Sequence, residues 1–193
     1  GVPSESEFIV AAKEQKVPIE SDVSLFFRFY SHPIVAVTGT KGKTTTTLLL
    51  GEMMRRKDAK AVTAGNIKVS PLEHLDALIE EPSAVPVVLE LSSWILESLP
   101  RAFTDLNRGP DISVLTNVYP DHLDRYSSFE AYVASKRIIF EHQTSAQYTL
   151  LNWDHDLVRA MEPQVKGKLF WFSKAYQEHD GCYIKNDTVV FHR

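Results

Sequence analysis

Five short apolar runs recur along the chain, and none shows the polar alternation of a half-exposed strand. They occupy residues 34–38, 61–64, 85–91, 112–116 and 148–152. Runs of this kind are typical of strands that are buried on both faces of a sheet. Segments with helical spacing lie between them, at 43–57, 71–80 and 128–141. The alternation predicts an α/β fold, with a mostly parallel sheet flanked by helices.

The two ends of the chain have a different character. Near the N-terminus, Phe8, Ala11 and Ala12 have helical spacing, and a stretch of polar turns and aromatic residues follows. Near the C-terminus, the apolar run 169–173 precedes 182–192, where an Asn-Asp pair separates two β-rich segments. Such a pair is typical of a tight turn, so we expect a small C-terminal β hairpin.

Composition narrows the class of protein. The 193 residues are 44% hydrophobic and 24% charged, and no apolar run is long enough to cross a bilayer. The net charge of −4 and the scattered basic residues predict that the chain binds no nucleic acid. Cys182 is the sole cysteine, and the first residues lack the pattern of a secretion signal. We therefore expect a cytoplasmic protein that does not span a membrane.

The segment "IVAVTGTKGKTTTT" joins the first buried strand to a helix through a glycine turn. Gly39 and Gly42 would let backbone N–H groups approach phosphate oxygens at the positive end of the helix. Lys43 would reach the terminal phosphates, and Thr44 would offer a hydroxyl to Mg²⁺. Because Val37 stands where the standard phosphate loop has glycine, we expect a shorter variant closed by Gly39. The alternative is a plain strand–helix turn beside a solvated lysine.

The helix that follows this turn has four apolar residues that we expect to form its inner face: Leu49, Leu50, Met53 and Met54.

Polar residues also follow the next buried runs. Glu90 lies near the end of the third run, before Ser92 and Ser93. A carboxylate in a buried strand needs a neutralising partner such as a metal ion. The fourth run leads into a polar cluster of Asn117, Asp121, His122, Asp124 and Arg125. Taken singly, each group could be an ordinary surface loop. Because parallel strands end at one edge of a sheet, we expect them to converge in one crevice with the glycine turn.

The candidate helix 128–141 combines a predicted capping box, Ser127 with Glu130, and an apolar stripe. Lys136 falls on that stripe. The lysine either extends outward with its stem packed, or is held in the site with an amine pKa lowered by burial.

Four segments, "TGTKGKTT", "LELSSW", "NVYPDHLDRY" and "SKRIIF", occur in the order and approximate spacing of the Mur ligases. The chain resembles this family of ATP-dependent ligases of peptidoglycan precursor synthesis, and most of all the members that add D-glutamate to UDP-N-acetylmuramoyl-L-alanine. "GVPSE" and "SDVSLFFR" resemble the end of the family's N-terminal domain and its junction with the central ATP-binding domain. The resemblance implies that 1–32 is a remnant of that domain and its linker, and that 33–193 is the central ATP-binding domain, incomplete at its C-terminal end. The missing domains would precede Gly1 and follow Arg193, so we expect no complete ligation by this chain alone.

The resemblance also implies ATP and Mg²⁺ as cofactors. Nucleotide contacts would come from Gly39, Thr40, Lys41, Gly42, Lys43, Thr44, Thr45 and Asn117. Catalytic roles would fall to Lys43, Glu90, His122 and Lys136. Thr44 and Glu90 would hold one Mg²⁺, whereas His122 and Lys136, the latter as a carbamate, would hold a second. Asn66, Ser92 and Ser93 would contact the nucleotide-sugar substrate.

The reaction implied is transfer of the γ-phosphoryl group to the substrate carboxylate, followed by attack of the D-glutamate amine on the acyl phosphate. Five positions depart from the family pattern and leave substrate selection open: Lys68, Trp94, Ile95, Tyr119 and Pro120. Two alternatives remain. One is another Mur ligase or a folylpolyglutamate synthase-like enzyme, and the other is a nucleotide-binding module without turnover.

Overall fold

The computed structural model describes residues 2, 6–175 and 178–193. Eight strands form a single sheet in the order β2-β3-β1-β4-β5-β6-β7-β8. Their bounds are β1 Ile34–Thr38, β2 Val62–Gly65, β3 Val87–Glu90, β4 Ile112–Leu115, β5 Tyr148–Asn152, β6 Lys168–Ser173, β7 Gly181–Lys185 and β8 Thr188–His192. All neighbouring strands are parallel except β7 and β8. The predicted α/β class and its mostly parallel sheet are therefore confirmed.

The predicted hairpin is also present, and it extends the main sheet because β7 pairs in parallel with β6. Its two turn residues, Asn186 and Asp187, have φ values of 50° and 56°. Consecutive left-handed residues match the right-handed twist of the flanking strands, which is why asparagine and aspartate are favoured here.

Helices cover the sheet and connect its strands. They are α1 Glu7–Glu14, α2 Asp22–Phe29, α3 Lys43–Lys57, α4 Leu75–Glu80, α5 Ser93–Glu97, α6 Pro100–Leu106, α7 Phe129–Glu141 and α8 Asp156–Arg159. Short 3₁₀ turns occupy Pro71–His74 and Glu162–Gln164. The three predicted helices are thus confirmed, and the second is divided into a 3₁₀ turn and α4.

The larger hydrophobic core includes α2, which buries Val23, Phe26 and Phe27 together with the adjoining Tyr30. Phe27 packs edge-on against Phe103 of α6, with ring centroids 4.9 Å apart. In contrast, α1 has no buried residue. The predicted domain boundary after residue 32 stays a prediction, and "GVPSE" lies outside the described residues except for Val2.

The predicted inner face of α3 is wrong in half of its members. Leu49 and Met53 are 60% and 66% exposed, whereas Leu50 and Met54 pack against a smaller core cluster. The fully buried positions are Thr47 and Gly51. Residues 47, 50, 51 and 54 form one helical stripe, so α3 approaches the sheet through its small side chains rather than its largest ones.

The predicted capping box on α7 is also wrong. Ser128, not Ser127, is the N-cap, and its hydroxyl accepts a hydrogen bond from the Ala131 N–H at 3.2 Å. Because α7 begins at Phe129, Glu130 falls on its second residue, one position short of the site that a capping box needs.

The β6–β8 region leaves apolar side chains exposed on one face of the sheet. Phe170 and Phe191 stack there with ring centroids 6.0 Å apart, and Val189 is 74% exposed. Among the described residues, none of the helices has the length and apolar character needed to cross a membrane.

The close packing of α3 on β2 generates a stability prediction. A Cβ at Gly51 would lie 2.1 Å from the Thr63 Oγ1, so Gly51→Ala should lower the unfolding free energy by about 1–3 kcal/mol. Urea denaturation measures this change, and Leu49→Ala on the exposed side of α3 is the control, with an expected effect below about 0.5 kcal/mol. Thr63→Ala should recover part of the loss when combined with Gly51→Ala. Strictly additive losses would contradict the clash.

Candidate functional site

The carboxyl ends of β1, β3 and β4 are neighbours, since β1 pairs with β3 on one side and with β4 on the other. This edge brings together the glycine loop, which we define as residues 38–43, the side chain of Glu90, and the loop 116–128. Asn66 joins them because β2 ends beside β3. The order of the strands therefore brings the polar clusters together at one edge of the sheet, as the sequence predicted.

The glycine loop has two positions that other residues would not fit. A Cβ at Gly39, where φ is 151°, would lie 2.0 Å from the Thr116 Oγ1. Gly42 caps α3 in the left-handed conformation with φ 81°, and no side chain caps the start of this helix. The first N–H groups of α3 are therefore left without a capping side chain, as an anion-binding helix start requires.

Asn117 and Thr116 hold the glycine loop in shape. The Lys41 N–H donates to the Asn117 Oδ1 at 2.8 Å, and the Asn117 Nδ2 donates back to the Lys41 carbonyl at 3.0 Å. The Thr116 hydroxyl donates to the same carbonyl at 2.8 Å. Because the Asn117 amide is occupied in this way, its effect on a nucleotide would pass through the backbone of the loop.

Glu90 is a buried carboxylate with one unsatisfied oxygen. Its side chain is almost fully buried at the end of β3, and the Asn66 Nδ2 donates to Oε1 at 2.9 Å. Oε2 is buried and has no hydrogen-bond partner among the described residues. An unpaired carboxylate oxygen in the interior is costly, and a bound cation would satisfy it.

Lys136 does not extend outward. It is 1% exposed, and its Nζ donates to the Gly39 carbonyl at 2.9 Å. The same Nζ lies 4.7 Å from the ring centroid of Tyr132, one helical turn earlier on α7. Burial, together with the charge of Lys43, lowers the pKa of Lys136 to about 7, and Asp121 opposes both. The amine is therefore half neutral near physiological pH.

A cavity of about 240 Å³ opens at this edge. Six predicted site residues line it: Lys43, Asn66, Ser92, Ser93, His122 and Lys136. Three further residues, Trp94, Asp121 and Tyr132, complete the lining. The structure thus gathers residues that follow β2 and β3, together with residues of the glycine loop, the loop 116–128, α5 and α7, around one space.

Several predicted site residues make contacts within the protein or lie on the first turn of α3. Lys43 points back to the loop, where its Nζ donates to the Thr40 carbonyl at 3.0 Å. Thr44 and Thr45 are exposed in the first turn of α3. The Ser92 hydroxyl accepts from the Ile95 N–H at 3.3 Å and caps α5, so this side chain already has a structural task.

His122 has an unusual backbone conformation for a candidate ligand. Its φ is 53°, and its Nε2 lies 4.0 Å from the Asp121 Oδ2. Left-handed residues other than glycine are strained, and they concentrate at functional sites. This conformation places the half-exposed imidazole in the lining of the cavity.

Two contacts at the cavity had no role in the sequence-based site prediction. The Tyr132 Oη lies 3.2 Å from the Thr40 Oγ1 and links α7 to the glycine loop. The Arg125 guanidinium lies 4.0 Å from the ring centroid of Trp94. The helical spacing could have indicated Tyr132, because it lies four residues before Lys136 and therefore on the same face of α7. No local signal pairs Trp94 with Arg125.

The side chains at this edge of the sheet limit the kind of metal site that can form there. Within the described part of the chain, no group of three or more His, Cys, Asp or Glu side chains could hold a metal ion. Mg²⁺, however, is usually held by one or two carboxylates together with phosphate oxygens and water. The unsatisfied Glu90 oxygen and the exposed Thr44 hydroxyl fit a site of that kind, in which a bound polyphosphate supplies further ligands.

Comparison with known proteins assigns a family. The family model described as the Mur ligase middle domain matches residues 37–189. A UDP-N-acetylmuramoylalanine--D-glutamate ligase of Roseiflexus sp. (strain RS-1) is 42% identical over 176 residues, which cover 90% of this chain and 36% of the relative. The ligase of the same name from Thermoanaerobacter pseudethanolicus is 39% identical over 189 residues, covering 98% and 40%. The chain thus spans about two fifths of the length of these relatives.

Solved structures with low sequence identity show the same fold. The UDP-N-acetylmuramate:L-alanyl-gamma-D-glutamyl-meso-diaminopimelate ligase from Neisseria meningitides matches 99% of this chain and 63% of its own, with a TM-score of 0.66 and 17% identity. MurF ligase from Thermotoga maritima in complex with ADP matches 90% of this chain and 42% of its own, with a TM-score of 0.58 and 22% identity. Together with the match over residues 37–189, these findings show that the chain belongs to the Mur ligase middle domain family.

Proposed function

We propose that this chain binds Mg·ATP at the glycine loop and forms the phosphoryl-transfer centre of an ATP-dependent ligase. The observation that supports this proposal most is the shared cavity. Lys43, His122 and Lys136 line one space at the start of a helix without a side-chain cap. Asn66 lines the same space and donates to Glu90, whose other carboxylate oxygen is unsatisfied. Cations and free N–H groups at one point are what a polyphosphate needs.

The names of the relatives suggest the substrates of the complete ligase. We propose UDP-N-acetylmuramoyl-L-alanine and D-glutamate, since two relatives of 39–42% identity are named for that reaction. The carboxylate of the first substrate would attack the γ-phosphorus of ATP, with ADP as the leaving group. The D-glutamate amine would then attack the acyl phosphate carbon and release phosphate, forming the amide.

Several side chains would act on the phosphates and the sugar substrate. Lys43 would release the Thr40 carbonyl and bind the β- and γ-phosphates, as its position at the start of α3 allows. The Asn117 clamp would keep the N–H groups of the glycine loop directed at the phosphates. Asn66, Ser92 and Ser93 line the cavity, where they would contact the nucleotide-sugar substrate.

Two metal positions are proposed at this edge of the sheet. Thr44 and Glu90 would hold one Mg²⁺, and His122 with a modified Lys136 would hold the other. Bound Mg²⁺ would neutralise the charge that develops on the phosphate oxygens during transfer. The second position depends on chemistry at Lys136, because an unmodified ammonium cannot act as a ligand.

We propose that Lys136 is carbamylated. Its neutral amine would attack CO₂, forming an N–C bond and releasing one proton to give a carbamate anion. A pKa near 7 leaves enough neutral amine for this addition. The product would replace a buried amine with an anionic oxygen ligand in the cavity that Lys136 and His122 both line.

The place of this chain in the complete ligase is also a proposal. We assign residues 33–193 to the central ATP-binding domain and 1–32 to the end of an N-terminal domain and its linker. Because the single Cys182 cannot form a disulfide within the chain, as is typical of proteins in a reducing compartment, we propose a cytoplasmic location. Ligation itself would require the parts of the ligase that the relatives have in addition.

Nucleotide binding gives the direct test of the proposal. Calorimetric titration with an imido analogue of ATP in Mg²⁺ should show binding, and Lys43→Ala should weaken it by at least about tenfold, since a charged hydrogen bond is lost. Lys57→Ala, at the far end of α3, is the matched lysine control and should leave the affinity unchanged. Equal affinities for the parent and Lys43→Ala would remove the glycine loop from the phosphate site.

Carbamylation predicts a reversible adduct. In ¹³C-bicarbonate, the parent chain should show a carbamate carbon resonance that Lys136→Ala lacks and that acid abolishes. Lys43→Ala should retain the resonance, because Lys43 is not the modified amine. If the parent shows no carbamate and Lys136→Ala binds Mg·ATP as well as the parent, the proposed role of Lys136 is wrong.

The lowered pKa of Lys136 also predicts how stability depends on pH in buffers free of bicarbonate and metal ions. The folded pKa of about 7 lies below the ordinary 10.5, so between these values the unfolded chain binds a proton that the folded chain does not. The parent should therefore gain up to about 1.4 kcal/mol per pH unit over Lys136→Met between pH 7 and 9.5. Denaturant unfolding at three pH values measures the difference, and a difference independent of pH would show that the amine is not perturbed.

A further inference from the structure

The part of the loop 116–128 that carries His122 lies on the surface. Residues 122–125 are all exposed, and the chain forms no helix or strand between Leu115 and Phe129. His122 nevertheless has a left-handed backbone conformation, with φ 53°. A residue other than glycine keeps such a conformation only where the surrounding structure fixes it. The contacts of this loop therefore identify what holds His122 in place.

Backbone hydrogen bonds close a turn on the carbonyl of His122. The Arg125 N–H donates to this oxygen at 3.0 Å, and the Tyr126 N–H donates to it at 3.1 Å. The His122 N–H in turn donates to the Asp121 Oδ1 at 3.0 Å. These bonds fix the shape of the turn. Because they all lie within residues 121–126, they do not fix the position of the turn relative to the cavity.

Arg125 connects this turn to α5. Its Nη2 donates to the Glu97 Oε2 at 2.7 Å, and its guanidinium lies 4.0 Å from the ring centroid of Trp94. Trp94 and Glu97 are three residues apart and therefore lie on one face of α5. This helix follows β3 closely and buries Ser93 and Leu96, so it is a fixed support for the turn.

An arginine is suited to this connection. Its planar guanidinium can bind a carboxylate and stack on an indole at the same time, which a lysine ammonium cannot do in the same way. Among the ion pairs of residues 121–126 in the described part of the chain, Arg125–Glu97 is the one that reaches another element. Trp94 also lies near the imidazole of His122, with ring centroids 6.4 Å apart. The same indole is thus close to both side chains.

We propose that Arg125 is a positioning residue, which holds His122 toward the cavity by joining the turn to Glu97 and Trp94. This inference deepens the proposed function and rests on it, because His122 is assigned there to the second Mg²⁺. An ion pair that is about one third exposed contributes little to overall stability. We therefore expect its effect in the placement of the imidazole, since groups that orient a metal ligand strongly affect metal affinity.

Hydrogen exchange tests the connection in the absence of any ligand. Glu97→Ala removes the partner of Arg125 and leaves the sequence of the loop unchanged. The two loop amides that donate to the His122 carbonyl should then exchange roughly twofold to fivefold faster, the range expected for loss of an exposed ion pair. The amides of α7 should keep their rates. Unchanged exchange of both loop amides would overturn the proposal.

Metal binding tests the consequence for His122. Mn²⁺ is titrated in place of Mg²⁺, with the imido analogue of ATP and bicarbonate, and free Mn²⁺ is measured by electron paramagnetic resonance. The parent should bind two ions. Arg125→Ala should weaken one of them at least about tenfold and leave the other within about twofold. In a His122→Ala background, Arg125→Ala should cause no further loss, because the arginine acts through the histidine.

Two further variants complete this comparison. Arg125→Lys keeps a charge for Glu97 but lacks the planar guanidinium, so its loss should fall between those of the parent and Arg125→Ala. Arg159→Ala is the matched control and should leave both ions unchanged. Arg159 also pairs with a carboxylate and lies 5.3 Å from the ring centroid of Trp153, but it does not line the cavity.

The outcomes separate this inference from the proposed function. If Arg125→Ala weakens both ions equally or neither of them, or adds to the loss in His122→Ala, the positioning role is wrong while the metal sites stand. If the parent binds fewer than two ions, the second metal position of the proposed function fails. Hydrogen exchange then still decides whether Arg125 holds the turn. Retention of one ion by Arg125→Ala also shows that this variant is folded.

Discussion

The central position of β1 between β3 and β4 determines the geometry of the whole candidate site. Parallel pairing on both sides forces three chain segments, separated by about 50 and 80 residues in sequence, to end at the same edge. The glycine loop leaves β1, Glu90 ends β3, and Asn117 lies just after β4. A sheet with another order would contain the same residues but would distribute them along its edge.

Lys136 ties this edge to α7. Its ammonium reaches the carbonyl of Gly39, which is 97 residues away in sequence, and Tyr132 reaches Thr40 from the same helix. Burying a lysine without a carboxylate partner is unfavourable, and the lowered pKa of Lys136 reflects that cost.

Glu90 is a buried group of the opposite charge. One oxygen of its carboxylate has no hydrogen-bond donor among the described residues. Under the proposed function, ligands that carry phosphate and metal charges would stabilise both groups. We therefore propose that the cost of burying these two charges is offset when such ligands bind.

The sequence predicted the parts of the structure that depend on periodicity and on turn chemistry. Apolar runs without alternation identified five strands, of which β1 and β3 are buried throughout whereas β2 and β5 are only partly buried. The Asn186-Asp187 pair identified the hairpin. Side-chain direction was less predictable. Leu49 and Met53 are large and apolar, yet α3 packs through Thr47 and Gly51, because the distance between helix and sheet is set by the neighbouring Thr63. The two directions open to Lys136 could not be separated from sequence either, since the Gly39 carbonyl that accepts its hydrogen bond belongs to a distant segment. The contact of Arg125 with Trp94 joins a loop to α5 and leaves no local pattern.

The dependence of nucleotide affinity on Mg²⁺, measured in the parent and in Glu90→Gln, tests the central claim most directly. Glutamine keeps the volume of the side chain and can keep the contact with Asn66, but it removes the charge that would bind a cation. We expect Mg²⁺ to tighten binding of the ATP analogue to the parent and to have little effect on Glu90→Gln. An equal effect of Mg²⁺ on the two proteins would show that the unsatisfied oxygen of Glu90 is not a metal ligand.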